Sequence, residues 1–296
     1  MQAHWVDASD VRLFVYEWGV RGSALLFWGG QGGSGLHANE IAPILAGDYG
    51  LRVIAPDAPA HGRSPALPLE AYRPSMLAKV AADLLSALSV SRAAFVGFSW
   101  GADIGCAFAA RFPERTTRLV LIDGGYWDFA DLPNFDTSAD LATRVAVARE
   151  RASKDWYPSW DAYFAAESAA LRRWTPALED AHRATMREED GRIIPILSGE
   201  IVGAIHYGNC VEPTASTHGA LRAARVPTLL LIPSELRPES VAPDGVTRFQ
   251  RNVPQVDVHR MPGDVHDLVS HAPSDVAMIV GNWLQRTPGA TDVDDP

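Results

Sequence analysis

Cysteine is scarce in this sequence, which contains only Cys106 and Cys210. Two cysteines are too few for a disulfide framework, and their spacing is not that of metal ligands. The sequence also lacks any uninterrupted run of 18 apolar residues, and its first residues lack the basic segment and apolar stretch of a secretory signal. We therefore expect a cytoplasmic protein with no membrane partner and with no bound metal or cofactor.

Positively charged residues are also few relative to negatively charged ones. The 296 residues include 26 Lys and Arg against 36 Asp and Glu, which gives a formal net charge of −10. Without a basic run, this balance argues against a nucleic-acid partner. An apolar content of 47% is typical of a globular chain with a sizeable core. The partner that we expect is a small-molecule substrate, and the sequence leaves the oligomeric state open between monomer and homodimer.

The most informative stretch is residues 93–112, AAFVGFSWGADIGCAFAARF. An apolar run typical of a buried strand ends at Phe98, and a helix with small residues on one face is predicted after Ser99. Ser99 stands between Gly97 and Gly101, in the pattern Gly-x-Ser-x-Gly. A serine on such a sharp turn has close backbone neighbours, so glycine is needed two positions to either side. The pattern therefore predicts Ser99 as a nucleophile at the carboxyl edge of a sheet.

A glycine-rich turn, GGQGGSG at residues 29–35, follows an earlier apolar strand. It lacks the Lys and Ser/Thr of a phosphate-binding P-loop, and it matches the dinucleotide pattern Gly-x-Gly-x-x-Gly poorly. An oxyanion loop suits it better, because a backbone N–H group must come close to a ligand oxygen there and side chains would obstruct the approach.

Residues 57–64, DAPAHGRS, resemble the D-x-P-G-H-G-x-S turn of the α/β-hydrolase superfamily, with Ala60 in place of the usual glycine. The resemblance implies an α/β fold in which helices flank a mostly parallel, eight-stranded sheet. It also implies a mainly helical cap inserted after the strand that follows the serine. The long segment in that place has helical composition and no strong strand signal.

These features divide the chain into four parts. Residues 1–125 are predicted as the first part of the core, residues 126–225 as the cap, and residues 226–286 as the second part of the core. Residues 287–296 are acidic and contain proline and glycine, and we expect them to be a disordered tail.

The base is assigned to His266. In this superfamily the catalytic residues follow the chain order serine, acid, histidine, so the base must lie well after Ser99. Residues 261–266, MPGDVH, follow the last predicted strand and resemble the closing histidine segment of the superfamily. His266 is therefore preferred over His259 and His271, its neighbours in the sequence.

The orienting acid has several candidates. Many superfamily members carry G-x-x-D after the strand that corresponds to residues 228–232, whereas this chain has PSEL at residues 233–236. Glu235 lies one position early but its side chain is one methylene longer, so it is the preferred acid. Asp123, at the end of the strand after the serine, and Glu239 are the alternatives.

The resemblance also assigns an oxyanion hole to two backbone N–H groups, those of Gly30 and Trp100. Residues 28–33, WGGQGG, resemble the H-G-G-P-G-G loop of proline-iminopeptidase-like members, with Trp28 in place of His and Gln31 in place of Pro. Trp28 and Gln31 are therefore expected at the substrate pocket. The cap residues expected there are Trp127, Tyr163 and His206.

A serine, a histidine base and backbone oxyanion donors are the machinery of acyl transfer. We therefore predict a serine hydrolase that cleaves an ester, lactone or related acyl bond of a small to medium, apolar substrate through an acyl-enzyme. Three other functions stay open: a non-hydrolytic lyase or cyclase, a proline-iminopeptidase-like aminopeptidase, and a ligand-binding protein on a decayed hydrolase scaffold. The aminopeptidase would need an acidic cap residue for the substrate amine, for which Glu150, Glu167 and Glu200 are available.

Overall fold

The computed structural model describes residues 1–235 and 244–286, and ten strands lie within them. In chain order these are β1 (Gln2–Ala8), β2 (Val11–Trp18), β3 (Ala24–Trp28), β4 (Arg52–Pro56), β5 (Ala93–Phe98), β6 (Thr116–Ile122), β7 (Met186–Glu189), β8 (Arg192–Pro195), β9 (Thr228–Pro233) and β10 (Val256–Met261). Eight of them form one sheet in the order β1-β2-β4-β3-β5-β6-β9-β10. The pairs β1–β2 and β2–β4 are antiparallel and the other pairs are parallel. The predicted sheet is confirmed.

Eleven α-helices accompany these strands in the described residues. In chain order they are α1 (Ile41–Asp48), α2 (Pro74–Ala87), α3 (Trp100–Arg111), α4 (Leu141–Ala152), α5 (Trp160–Leu171), α6 (Pro176–Arg183), α7 (Gly199–Val211), α8 (His218–Ala224), α9 (Gly245–Asn252), α10 (Leu268–His271) and α11 (Pro273–Gln285). Helices α2 and α3 pack on one face of the sheet, and α1 and α11 pack on the other. Phe95 and Val96 of β5 belong to the cores on opposite faces, as expected for a strand that is buried on both sides.

The segment between β6 and β9 contains α4 to α8 and a hairpin of β7 and β8. The helices agree with the helical composition of this segment, but the hairpin was not expected. Its two-residue turn, Asp190 and Gly191, has φ values of +49° and +69°. An Asp-Gly pair favours this backbone, so the signal was present in the sequence and was too short to stand out. The bounds of the cap remain a prediction, and the predicted tail, residues 287–296, lies outside the described residues.

The turn at residues 57–64 fixes the glycine loop to the sheet. Asp57 is fully buried, and its side chain accepts the Gly35 N–H at 2.7 Å and the Arg63 N–H at 2.9 Å. Ala60 has a φ of +65°, a left-handed backbone that glycine adopts more easily. This conformation explains why glycine is usual at this position in the superfamily that the turn resembles.

Two kinds of feature are absent from the described part of the chain. A membrane-spanning helix needs about 20 apolar residues, and none of the helices in residues 1–235 and 244–286 has the necessary length and apolar character. The same residues contain no group of three or more His, Cys, Asp or Glu side chains placed to hold a metal ion.

Candidate active site

Ser99 lies between the end of β5 and the first residue of α3, with a φ of +53°. Residues other than glycine rarely adopt such a backbone, and strain of this kind is common at functional sites. A Cβ atom added to Gly97 would lie 2.2 Å from the Gly101 carbonyl oxygen, so the turn has no room for a side chain there. The crowding expected from the sequence is therefore present, and it holds the serine at the carboxyl edge of the sheet.

Three side chains form a continuous hydrogen-bonded chain at this edge. His266 Nε2 lies 2.9 Å from Ser99 Oγ, and His266 Nδ1 lies 2.6 Å from Asp123 Oδ2. The ring of Phe98 packs against the imidazole, with 5.1 Å between the ring centroids. In this arrangement a proton can pass from Ser99 to His266 while Asp123 holds the imidazole in position.

Asp123 is held firmly at the end of β6. Its backbone N–H donates to the Leu231 carbonyl at 2.8 Å, and its φ is +44°. Its side chain is buried, and Oδ1 accepts a hydrogen bond from the Tyr126 hydroxyl at 2.9 Å. Burial raises the pKa of Tyr126 most, and the negative charge of Asp123 raises it further. The phenol therefore keeps its proton and remains a hydrogen-bond donor. Both oxygens of Asp123 therefore have a partner.

The preferred acid of the sequence analysis, Glu235, does not occupy this position. Glu235 is exposed, and its backbone N–H donates to the Gly263 carbonyl at 2.9 Å. Strands β6 and β9 are neighbours, so an acid at the end of either one would come near the same imidazole. Asp123, which follows β6 directly, contacts the imidazole at 2.6 Å, so the predicted position of Glu235 is corrected and Asp123 becomes the acid that we propose. Glu239, the third candidate, lies outside the described residues.

The glycine loop after β3 runs beside Ser99. A Cβ atom added to Gly30 would lie 3.2 Å from Ser99 Cβ, and the Gly30 carbonyl accepts the Gly33 N–H at 3.1 Å. Trp100 is the first residue of α3, where a helix leaves its amide groups without intrahelical acceptors. The two groups assigned to the oxyanion hole therefore belong to backbone segments that adjoin Ser99.

Gln31 lines three cavities, and two of them bear on the site. The smaller, of about 220 Å³, contains Ser99 and Asp123 and is called the Ser99 cavity below. The larger, of about 390 Å³, is lined by the glycine loop and by residues of α4 to α7, and is called the large cavity. Phe98, the residue before the nucleophile, also lines the large cavity. A substrate bound at Ser99 can therefore extend into the large cavity past Gln31.

Most of the residues predicted for the substrate pocket line these cavities. Gln31 lines both of them. The residues that line one of the two are Trp127, Tyr163 and His206. Trp28 is different: its side chain is fully buried in the core and stacks on Phe95, with ring centroids 6.4 Å apart. Trp28 is the last residue of β3 and faces the same side of the sheet as Leu26, which is why it enters the core instead of the pocket.

A second histidine and aspartate pair, which the sequence analysis missed, connects the two halves of the site. His37 Nε2 lies 3.0 and 3.1 Å from the carboxylate oxygens of Asp267 and 3.1 Å from Ser270 Oγ. His37 follows the glycine loop, and Asp267 follows His266. Burial alone would raise the pKa of Asp267, but the attraction of His37 and the hydrogen bonds from His37 and Ser270 lower it well below its usual range. The pair therefore ties the glycine loop to the loop that carries His266.

Replacing Asp267 by Asn is expected to lower the free energy of unfolding by about 2 kcal/mol at pH 7, because a largely buried carboxylate that accepts hydrogen bonds from His37 and from the Ser270 N–H is lost. The folded-state pKa of Asp267 is lowered, so its contribution is complete above about pH 4 and is lost as the pH falls further. Urea unfolding at pH 7 and at pH 3 measures both effects. Asp264→Asn, which breaks a more exposed pair with Arg172, is the control and should cost less than about 1 kcal/mol. Equal losses in the two variants would contradict this account.

Asp103 was also missed, although its position four residues after Ser99 places it on the same side of α3. It lines the Ser99 cavity. Its Oδ1 accepts the Gly125 N–H at 3.2 Å, and its Oδ2 lies 2.8 Å from Asn209 Nδ2. Burial, reinforced by the charge of Asp128, raises the pKa of Asp103 to about 8, although the two hydrogen bonds act to lower it. The carboxyl group of Asp103 is therefore mostly neutral at pH 7.

The variant Asp103→Asn is expected to be more stable than the parent protein at high pH. A carboxyl group whose folded-state pKa is raised contributes its stability below about pH 4, and this contribution is lost as the pH rises toward 8. Asn has the shape of the neutral acid and cannot ionise, so it avoids that loss. We expect its Tm to exceed the parental value by about 5 °C at pH 9 and by much less at pH 5. A difference that does not grow with pH, in thermal unfolding followed by circular dichroism, would contradict the assignment.

A family model described as alpha/beta hydrolase fold matches residues 24–166, which include the glycine loop, Ser99 and Asp123. The 2-hydroxy-6-oxo-6-phenylhexa-2,4-dienoate hydrolase of Burkholderia cepacia is 32% identical over 120 residues, which cover 40% of this chain and 41% of that protein. The 2-hydroxy-6-oxononadienedioate/2-hydroxy-6-oxononatrienedioate hydrolase of Burkholderia vietnamiensis is 34% identical over 124 residues, covering 40% and 42%. The matched part of the chain thus spans about two fifths of the length of these relatives.

Among solved structures, that of E-2-(acetamidomethylene)succinate hydrolase superimposes with a TM-score of 0.76. The superposition covers 96% of this chain and 99% of that one, at 20% sequence identity. At this identity the likeness shows a shared fold and extends it over both the serine and the histidine.

Proposed function

Because this chain belongs to the α/β-hydrolase superfamily, we propose that it is a serine hydrolase that cleaves ester, lactone or related acyl bonds through an acyl-enzyme. The observation that carries the proposal is the pair of contacts at His266, 2.9 Å to Ser99 Oγ and 2.6 Å to Asp123 Oδ2. A decayed scaffold that only binds a ligand would have no need to keep the strained backbone of Ser99, whose φ is +53°. The geometry therefore supports catalysis over binding alone.

The first half of the proposed reaction acylates the enzyme. His266 Nε2 takes the proton of Ser99 as the serine oxygen bonds to the carbonyl carbon, and the carbonyl electrons move onto oxygen. The backbone N–H groups of Gly30 and Trp100 stabilise this oxyanion, and each is worth about 3 kcal/mol. The tetrahedral intermediate then collapses, and the leaving group departs with the proton from His266. Asp123 stabilises the imidazolium between these two transfers.

The second half releases the acid. A water molecule gives a proton to His266 and bonds to the acyl carbon, and the collapse of the second intermediate returns that proton to Ser99. The His266 side chain is 55% exposed, so water has access to the base. Cavities of about 220 and 390 Å³ suit a substrate of small to medium size.

The proposal is tested by reaction with a fluorophosphonate probe, which labels an activated serine covalently. The parent protein is expected to be labelled and to hydrolyse p-nitrophenyl esters, whereas Ser99→Ala is expected to do neither. Ser86→Ala, on the outer helix α2, is the matched control and should react like the parent. Absence of labelling in the folded parent protein, or equal labelling of Ser99→Ala, would overturn the proposal.

An aminopeptidase is the second candidate, because one of the acidic residues considered for it lines the large cavity. That residue is Glu167, whereas Glu150 pairs with Lys154 and Glu200 pairs with Arg149. No Lys or Arg is among the described residues that line the large cavity. Glu167 lies 3.7 Å from His182 Nδ1, but burial lowers the pKa of His182 to about 4, so this neighbour is neutral at pH 7 and does not compete with a substrate amine as a cation. Turnover of proline β-naphthylamide, lost in Glu167→Gln, together with no turnover of p-nitrophenyl esters, would favour the aminopeptidase over the esterase.

A further inference from the structure

The Ser99 cavity contains a polar pair that the proposed reaction does not use. Asp103 and Asn209 both line this cavity, and their side chains are 2.8 Å apart. They come from different elements: Asp103 lies on α3 directly after the nucleophile, and Asn209 lies on α7. The Gly125 N–H also binds Asp103, so the pair is fixed to the loop that follows the acid of the triad.

One atom of this pair lacks a protein partner. Asn209 Oδ1 is buried, and it has no hydrogen-bond partner among the described residues. Leaving a buried polar atom unpaired destabilises the folded protein, so such an atom in a native protein needs an explanation. If the amide of Asn209 turned over, Oδ1 would face Asp103 and Nδ2 would be left unpaired instead. A neutral Asp103 carries a proton that needs an acceptor, and only the second orientation supplies one, so Asn209 Nδ2 is then the donor left for a partner from outside the protein.

The other residues that line the Ser99 cavity indicate the chemical character of the partner. Trp127 and Phe129 contribute aromatic surface, and Asp103 is uncharged at neutral pH because burial raises its pKa to about 8. A cation would find no full negative charge at Asp103, and the oxygens of Asp123, the other carboxyl group of this cavity, are already bound by His266 and Tyr126. A carboxylate would lie close to Asp123 and be repelled by it. An uncharged oxygen is the group that a neutral carboxyl and an amide can bind without a charge mismatch.

We propose that Asp103 and Asn209 form a recognition site for a carbonyl oxygen on the part of the substrate that occupies the Ser99 cavity. This inference rests on the proposed function, since it assumes that the substrate binds at Ser99. The inference adds a substrate class to the proposed function, namely acyl compounds that carry a second, uncharged oxygen beside an apolar, flat group. Asp103 and Asn209 would determine specificity, while the chemistry stays with Ser99 and His266.

Boronic acids test the inference, because the serine oxygen adds to boron and the adduct occupies the oxyanion hole. The probes are phenylboronic acid and its 3-acetyl and 4-acetyl derivatives, with 3-isopropylphenylboronic acid as the matched shape without the oxygen. Dissociation constants are measured by titration calorimetry with the full chain. We expect one acetyl isomer to bind the parent protein about five- to tenfold more tightly than phenylboronic acid, which corresponds to one hydrogen bond.

An acetyl group also changes the electron density on boron, and protein variants separate this electronic effect from the hydrogen bond that Asp103 and Asn209 make to the acetyl oxygen. In Asn209→Leu and Asp103→Leu the acetyl-to-phenyl affinity ratio is expected to fall about fivefold, whereas Asp103→Asn, which keeps the shape of the neutral acid, should retain most of it. Asp83→Leu on α2 is the control and should keep the parental ratio. If Asp103→Leu does not fold, Asn209→Leu carries the test.

The outcomes distinguish this inference from the proposed function. If no boronic acid binds, the activated serine is wrong and both proposals fail. If phenylboronic acid binds and neither acetyl isomer gains affinity, or if the gain survives in Asn209→Leu, the hydrolase stands and the recognition site is overturned.

Discussion

Replacing Asp123 by Asn is expected to lower kcat for a p-nitrophenyl ester about 10⁴-fold. Asn has the shape of Asp, so the Tyr126 contact survives and the fold is retained. An amide nitrogen at the position of Oδ2 cannot accept the proton on His266 Nδ1, so the imidazole adopts the other tautomer. Nε2 then carries a proton and can no longer take one from Ser99. Steady-state kinetics, with circular dichroism to confirm folding, measure the effect.

The matched control is Glu235→Gln, which makes the same chemical change at the other candidate acid. Glu235 is exposed at the end of β9, whereas Asp123 is 6% exposed and lies 2.6 Å from the imidazole. We expect Glu235→Gln to leave kcat unchanged. A large loss in Glu235→Gln with full activity in Asp123→Asn would reverse the assignment of the acid.

The fold and the strained turn at Ser99 were predictable because their signals are local. A serine between two glycines at a strand-to-helix turn can be identified from five residues, and the parallel strands are short apolar runs such as β5. The acid was harder, because β6 and β9 pair in the sheet and both end beside the same imidazole. Which of the two ends supplies the carboxylate depends on the backbone of Asp123, with its φ of +44°, and no sequence pattern records this.

The other differences also arise from long-range geometry. Trp28 stands where the resembled loop has His, but the alternation of β3 turns its side chain into the core beside Phe95. His37 and Asp267 are 230 positions apart in the sequence, and no local sequence pattern predicts their contact. Asp103 is the one acidic residue of the mostly apolar helix α3. Only the packing of α7 against the site, which brings Asn209 to it, distinguishes Asp103 from an ordinary surface carboxylate.

The backbone crowding around Ser99 leads to the second large effect, that of Gly101→Ala. A Cβ atom at this position would lie 2.1 Å from the Trp28 carbonyl oxygen and 2.7 Å from that of Gly29. Both obstacles are backbone atoms, so either the helix that carries Gly101 or the glycine loop must move. Such overpacking costs about 3 kcal/mol. Movement of the loop would also take the Gly30 N–H from the oxyanion hole, which lowers kcat about 10²-fold or more.

Gly47→Ala is the control that separates crowding from the general effect of adding a methyl group. Gly47 lies in α1, and a Cβ atom there would meet no other atom within 4 Å. Alanine also has the higher helix propensity, so we expect Gly47→Ala to raise the free energy of unfolding by up to about 1 kcal/mol with kcat unchanged. Urea unfolding and ester kinetics on both variants give the comparison. If Gly101→Ala unfolds at the parental urea concentration and keeps its kcat, the contact between α3 and the glycine loop does not hold the oxyanion donor beside Ser99.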